Sequence, residues 1–185
     1  MKEHNLKNSP IFLDAAAPML EPRVLSKHLP GLLEGEIDVA LATVGALEGF
    51  RQTMLSVGKW LELERTSQYP ICIARTVSDI RQAKLEKKIS IVIHFQGAEP
   101  IEDKIDFLNI FQKCGLRVMQ LTYNSRNRIG DGCFEESNVG ISAFGKQVIR
   151  RMEELSIAID LAHAGVRSSL EALEIATKPV IVSHA

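Results

Sequence analysis

Short apolar runs recur along this chain, and amphipathic stretches of helical length separate them. That alternation limits the fold more than any other feature. The segments 11–15 (IFLDA), 36–44 (EIDVALATV), 71–74 (ICIA), 89–95 (ISIVIHF), 116–123 (LRVMQLTY), 157–162 (IAIDLA) and 179–183 (PVIVS) read as strands. Helices are expected over 47–66, 76–88, 101–115, 142–156 and 167–178. In the first of these, Phe50, Met54, Val57 and Leu61 fall on one stripe. Thr76 and Ser78, good N-cap residues, open the helix at 76–88, Ser142 caps the one at 142–156, and Pro100 and Gly115 bracket the helix between them. The run at 89–95 is β-branched and scarcely alternates with polar residues, as in a strand covered on both faces. Strand–helix–strand units in series predict an α/β fold with a parallel sheet. Right-handed crossovers then lay successive strands side by side.

One connection is long. Residues 123–141 (YNSRNRIGDGCFEESNVGI) hold glycines, asparagines and charges with no periodicity. Loops of that length in compact domains are commonly functional or disordered.

Polar residues collect where strands end. The strand at 89–95 runs into His94 and Gln96, and the next into Thr122, Tyr123 and Asn124. IAIDLAH closes on Asp160 and His163, and PVIVSH on Ser183 and His184. In parallel α/β folds the carboxyl ends of strands are where sites are built. One strand–helix–strand unit separates His163 from His184, which places their strand ends about 5 Å apart. Two neutral imidazoles at that separation suit one metal ion. The plainer reading is a pair of hydrogen-bonded loop residues. Asp160 reads as a helix cap or as a holder of a histidine tautomer. Gln96 reads as a loop hydrogen-bonder, His4 and His28 as solvated, Glu135 and Glu136 as surface charges. Met54, Trp60 and Met152 read as packing residues.

Composition excludes several classes. Charges nearly cancel, with 22 basic and 23 acidic side chains and no basic block, so no nucleic-acid partner is expected. Cys72, Cys114 and Cys133 lack CxxC spacing, which argues against a disulfide framework and fits a cytoplasmic location. The polar amino terminus is unlike a signal peptide, and no apolar run is long enough to span a membrane.

Three segments together carry a family resemblance: LRVMQLTYNSRN, GISAFGKQVIRRMEELSIAIDLAHAG and ALEIATKPVIVSHA. The chain resembles the membrane (renal) dipeptidase family of zinc-dependent hydrolases, in order over roughly residues 10–185. The resemblance implies a TIM-like (β/α)8 barrel with a two-metal site at its carboxyl-terminal face, where metal-activated water cleaves the amide bond of a small peptide. His163 and His184 match the two strand-end histidines that bind one of the metals. Gln96, Tyr123 and Asn124 are then expected to line the substrate pocket. Relatives of this kind are often dimers, which implies a homo-oligomer.

The departures are as informative. The family's His-x-Asp, ligands of the other metal, falls on Ala16 and Pro18 in LDAAAP. Its bridging glutamate falls on Gln96 and its substrate-side histidine on Tyr123. At most one zinc ion is therefore expected, and a catalytically inactive relative serving as a binding module is the alternative. A barrel of this kind takes about 250 residues. The 185 here supply roughly six parallel strands with helices outside, so a single incomplete barrel is expected, truncated at its carboxyl end and open at two strand edges.

Overall fold

The computed structural model describes residues 10–18, 25–66 and 69–185. Its elements in chain order are β1 (Leu13–Ala17), α1 (Leu25–Glu34), β2 (Val39–Gly45), α2 (Phe50–Thr66), β3 (Ile71–Ile73), α3 (Val77–Leu85), β4 (Ile89–Phe95), α4 (Phe107–Cys114), β5 (Leu116–Gln120), α5 (Ala143–Glu154), β6 (Ala158–Asp160) and α6 (Val166–Ile175). All strand pairs are parallel, in the order β1–β2–β4–β5–β6, with β3 also on β4. The result is an incomplete TIM-like barrel with helices outside, as expected.

The short run at 71–74 is the irregular piece. β3 pairs with the first half of β4, Ile73 opposite Ile91, and β5 takes over the same edge from Ile93 onward. Gly115 marks the handover: it ends α4 at φ +116°. A Cβ there would meet Ile73 and Ile93 at 3.3 Å.

Each inner strand has two faces of different character. Outward residues such as Ile91, Ile93, Phe95, Met119 and Ile159 pack with Trp60, Phe111, Val148 and Met152 into the main core. The inward face starts apolar, with Val39, Leu41, Ala74, Val92 and Val118 in contact. It then turns polar toward the strand ends, where Thr43, His94, Gln120 and Asp160 are all buried. The register puts Thr43 beside His94 and Gln120 beside Asp160. Burying such groups costs energy unless they are satisfied, so this layer is a feature to be explained.

Caps form where the sequence places them. Thr76 and Asp79 make a capping box, and Ser142 Oγ accepts from Gly145 N at 2.9 Å. Three expectations change. The helix expected over 101–115 shortens to α4, because Glu102 at φ +51° interrupts it after a 3-10 turn at Glu99–Ile101. Helix α1 has no counterpart among the expected elements: Pro30 and Gly31 lower helix propensity, yet Leu25, Leu29 and Leu32 bury one face. The strand expected at 179–183 reduces to one bridge, Ile181 to Asp160. Phe12 and Leu13 at the β1 edge and Val182 at the other are exposed, as open edges require.

His28 is exposed, as expected, and His4 lies outside the described residues. The three cysteines are free thiols. No described helix is long and apolar enough to cross a membrane.

Candidate metal centre at the strand ends

His163 and His184 meet at the carboxyl-end rim. Their Nε2 atoms are 2.8 Å apart and their ring centroids 4.9 Å, at 69°. The rings therefore face one another edge to face. Each Nδ1 touches an oxygen of a neighbour: His163 Nδ1 lies 2.7 Å from Asn124 Oδ1, and His184 Nδ1 lies 2.9 Å from Ser183 Oγ.

Backbone geometry sets His163. It adopts φ +62° just past β6, and its carbonyl accepts from Thr122 Oγ1 at 3.1 Å and Cys133 N at 2.9 Å. Tyr123 stacks beside it, centroids 4.6 Å apart. Burial and the facing His184 ring push the His163 imidazole below its usual range.

The long loop is folded back onto the rim. Asp131 is buried; its carboxylate meets Arg126 Nε at 2.6 Å and accepts from Val139 N. Its backbone N–H donates to Ser168 Oγ at 3.1 Å, and its carbonyl accepts from Gly165 N at 2.9 Å. These bonds fasten the loop to the start of α6. Gly132 then passes so close to Asn124 that a Cβ would sit 2.1 Å from the Asn124 carbonyl oxygen. The packing holds Asn124 against His163.

Below the histidines lies Asp160, with no exposed surface. Its Oδ1 accepts from Ala162 N at 3.0 Å and Ser183 N at 3.1 Å. Its Oδ2 accepts from Ser183 Oγ at 2.5 Å and Gln120 Nε2 at 3.2 Å. His94 Nε2 is 3.4 Å from the same oxygen, a close approach that is not a hydrogen bond. Burial opposes the charge, but the His94 ring, the Ser183 hydroxyl and the two backbone N–H groups outweigh it. They hold the carboxyl well below the ordinary range.

Tyr123, Asn124, His163 and His184 thus come into contact. Gln96, at the exit of β4, has its backbone N–H on Gly45 O at 2.8 Å and makes no hydrogen bond to any of the four. Glu135, read as a surface charge, accepts from Arg126 N at 2.7 Å. Among the described residues no cluster of three or more His, Cys, Asp or Glu side chains could hold a metal ion. The sequence reading named His94 and Ser183 as strand-end polar residues without a role. Gln120 was missed, although inward alternation with Thr122 along β5 marked it.

A parallel barrel with its polar side chains gathered at the carboxyl ends of the strands defines the TIM-type class, whose sites lie on that rim. Within that class the chain belongs to the membrane dipeptidase family, peptidase family M19, whose sequence profile matches residues 27–185. An amidohydrolase from Pseudomonas aeruginosa is 30% identical and superimposes with a TM-score of 0.86 over 98% of this chain and 55% of that one. A metallopeptidase from Rhodobacter sphaeroides, liganded with a phosphinate mimic of the dipeptide L-Ala-D-Ala, shares the fold. Its TM-score is 0.79 at 17% identity, over 96% of this chain and 66% of that one. Dipeptidase tcpJ of Claviceps purpurea is 25% identical over 114 residues, 60% of this chain and 27% of its own length. The chain therefore spans between 27% and 66% of the length of these relatives.

Proposed function

We propose that this chain carries part of a dipeptidase-type hydrolytic site, in which His163 and His184 hold a single divalent metal ion and the substrate is a small peptide amide. The observation that carries the reading is the convergence of the two Nε2 atoms at 2.8 Å, with each Nδ1 engaged elsewhere. Two imidazoles oriented in this way suit zinc, with further positions filled by water or substrate. Bound there, zinc would polarise the scissile carbonyl or acidify a water. The chain's own residues have simpler tasks. Asn124 and Ser183 orient the two rings, and Tyr123 walls the pocket beside His163. Gln96 offers an amide to a substrate polar group from the end of β4.

A second ion does not fit. Ala16 and Pro18 have no donor atoms, and the Gln96 amide is neutral where a bridge between two dications needs negative charge. That observation favours a second reading, in which the fold is kept as a peptide-binding module without turnover. Calorimetric titration with zinc separates the readings from their failure. The reading expects about one ion per chain, lost in His163→Ala and in His184→Ala while the melting curve stays cooperative. A chain that takes up no zinc would end the metal reading. Turnover of a dipeptide panel above the His184→Ala background would end the binding-module one.

A further inference from the structure

The Asp160 carboxylate is reached by more hydrogen-bond donors than any other group at the rim, and His184 is the last member of the chain of bonds that it starts. We propose that Asp160 is a positioning residue: acting through the Ser183 hydroxyl, it locks His184 as the Nδ1–H tautomer and turns the Nε2 lone pair toward His163. The inference rests on the proposed role of His184 as a ligand but concerns an atom-level state that exists without any metal.

The direction of the bonds follows from what each group can do. An ionised carboxylate only accepts. Ser183 Oγ, 2.5 Å from Asp160 Oδ2, must therefore spend its one proton on that oxygen. It can then only accept from His184 Nδ1, 2.9 Å away. A neutral imidazole with its proton on Nδ1 has a bare lone pair on Nε2. Asp160 Oδ1 is occupied by the N–H groups of Ala162 and Ser183 itself, so the carboxylate cannot swing away. Gln120 Nε2 at 3.2 Å and the His94 ring close its buried side.

The two histidines are not equivalent in this respect. Asn124 presents an amide, which offers either an oxygen or an NH2 group by turning over. It orients His163 without dictating its proton. Across the 2.8 Å gap His163 can donate from Nε2 in the metal-free protein, whereas His184 is always the acceptor.

The substitution Asp160→Asn tests the direction. With Oδ1 held by two backbone donors, the Asn oxygen takes that place and its NH2 faces Ser183. Gln120, whose Oε1 is unpaired, can turn to accept from it. The Ser183 hydroxyl is then released to donate to His184 Nδ1, and the imidazole proton moves to Nε2. Nitrogen-15 NMR of the metal-free chain reads both ring nitrogens directly. The expected results are Nδ1–H for His184 in the wild type, Nε2–H in Asp160→Asn, a mixture in Ser183→Ala, and the wild-type state in Ser183→Thr. Zinc affinity should fall about 10- to 100-fold in Asp160→Asn and Ser183→Ala. Nε2–H in the wild type, or an unchanged tautomer in folded Asp160→Asn, would overturn the proposal. Should Asp160→Asn fail to fold, Ser183→Ala decides, and an unchanged Nδ1–H there has the same force. If the tautomers behave as stated and zinc still does not bind, the metal reading fails and the positioning role stands.

Discussion

His163 and His184 lie 21 residues apart in sequence and 2.8 Å apart between their Nε2 atoms. The distance is set by parallel pairing. Leu161 N donates to Ile181 O at 2.9 Å and Ile181 N to Ile159 O at 2.9 Å, so the exits of the two segments are level. That bridge, with the bonds from Ser183 N and Oγ to Asp160, holds the two histidine-bearing segments together.

If the pair holds zinc, the metal also joins 157–163 to 179–184. Zinc at one hundred times its dissociation constant should stabilise the fold by about 2.7 kcal/mol. Differential scanning fluorimetry should show a rise in melting temperature that EDTA reverses and that His184→Ala abolishes.

Gly132→Ala should disturb the same pair from a distance. The added methyl would overlap the Asn124 carbonyl at 2.1 Å, with Ser125 O at 2.7 Å, and these backbone atoms leave it no room. A loss of about 1–3 kcal/mol is expected, read by urea unfolding. Zinc affinity should drop with it, because Asn124 can no longer stay against His163.

Glu153 ties the approach to His184. Its buried carboxylate accepts from Thr177 N and Lys178 N at 2.7 Å each and from Thr177 Oγ1 at 3.0 Å. Burial opposes its charge, but these hydrogen bonds outweigh it and lower its pKa. A lowered folded value means stability that is full above the unfolded value, about 4.3, and is lost as pH falls through the folded one. Glu153→Gln should therefore cost roughly 1.5–3 kcal/mol at pH 7. Urea unfolding should show that deficit shrinking steadily as the pH is lowered through the carboxylate range.

Thr76→Ala is the contrast. It removes the acceptor for Asp79 N, 3.1 Å away, and half of the capping box of α3. The cost should be about 1 kcal/mol. The cap belongs to α3, which precedes β4, and makes no hydrogen bond to the rim residues, so zinc affinity should be unchanged by titration.

Strand and helix placement was legible from local patterning because periodicity records which faces are buried. β4 at Ile89–Phe95 matches its apolar run residue for residue. The caps at Thr76 and Ser142 and the stop at Gly115 are likewise local chemistry. Helix α1 was not legible, since Pro30 and Gly31 lower helix propensity and the burial of Leu25, Leu29 and Leu32 against the sheet overrides it. The strand-end histidines were legible as a pair because one crossover unit separates them. Gln120 was not, because its partner Asp160 is 40 residues away.

The sequence by itself determined that apolar strands and amphipathic helices alternate and that the strands end in polar residues. Those are properties of single residues and of their spacing along the chain. Only the tertiary structure decided that Asp160, Ser183 and His184 form one directed chain of hydrogen bonds. The same holds for the loop around Asp131, which closes over His163. Such contacts join residues tens of positions apart, and the register of the parallel sheet, not local preference, sets which of them meet.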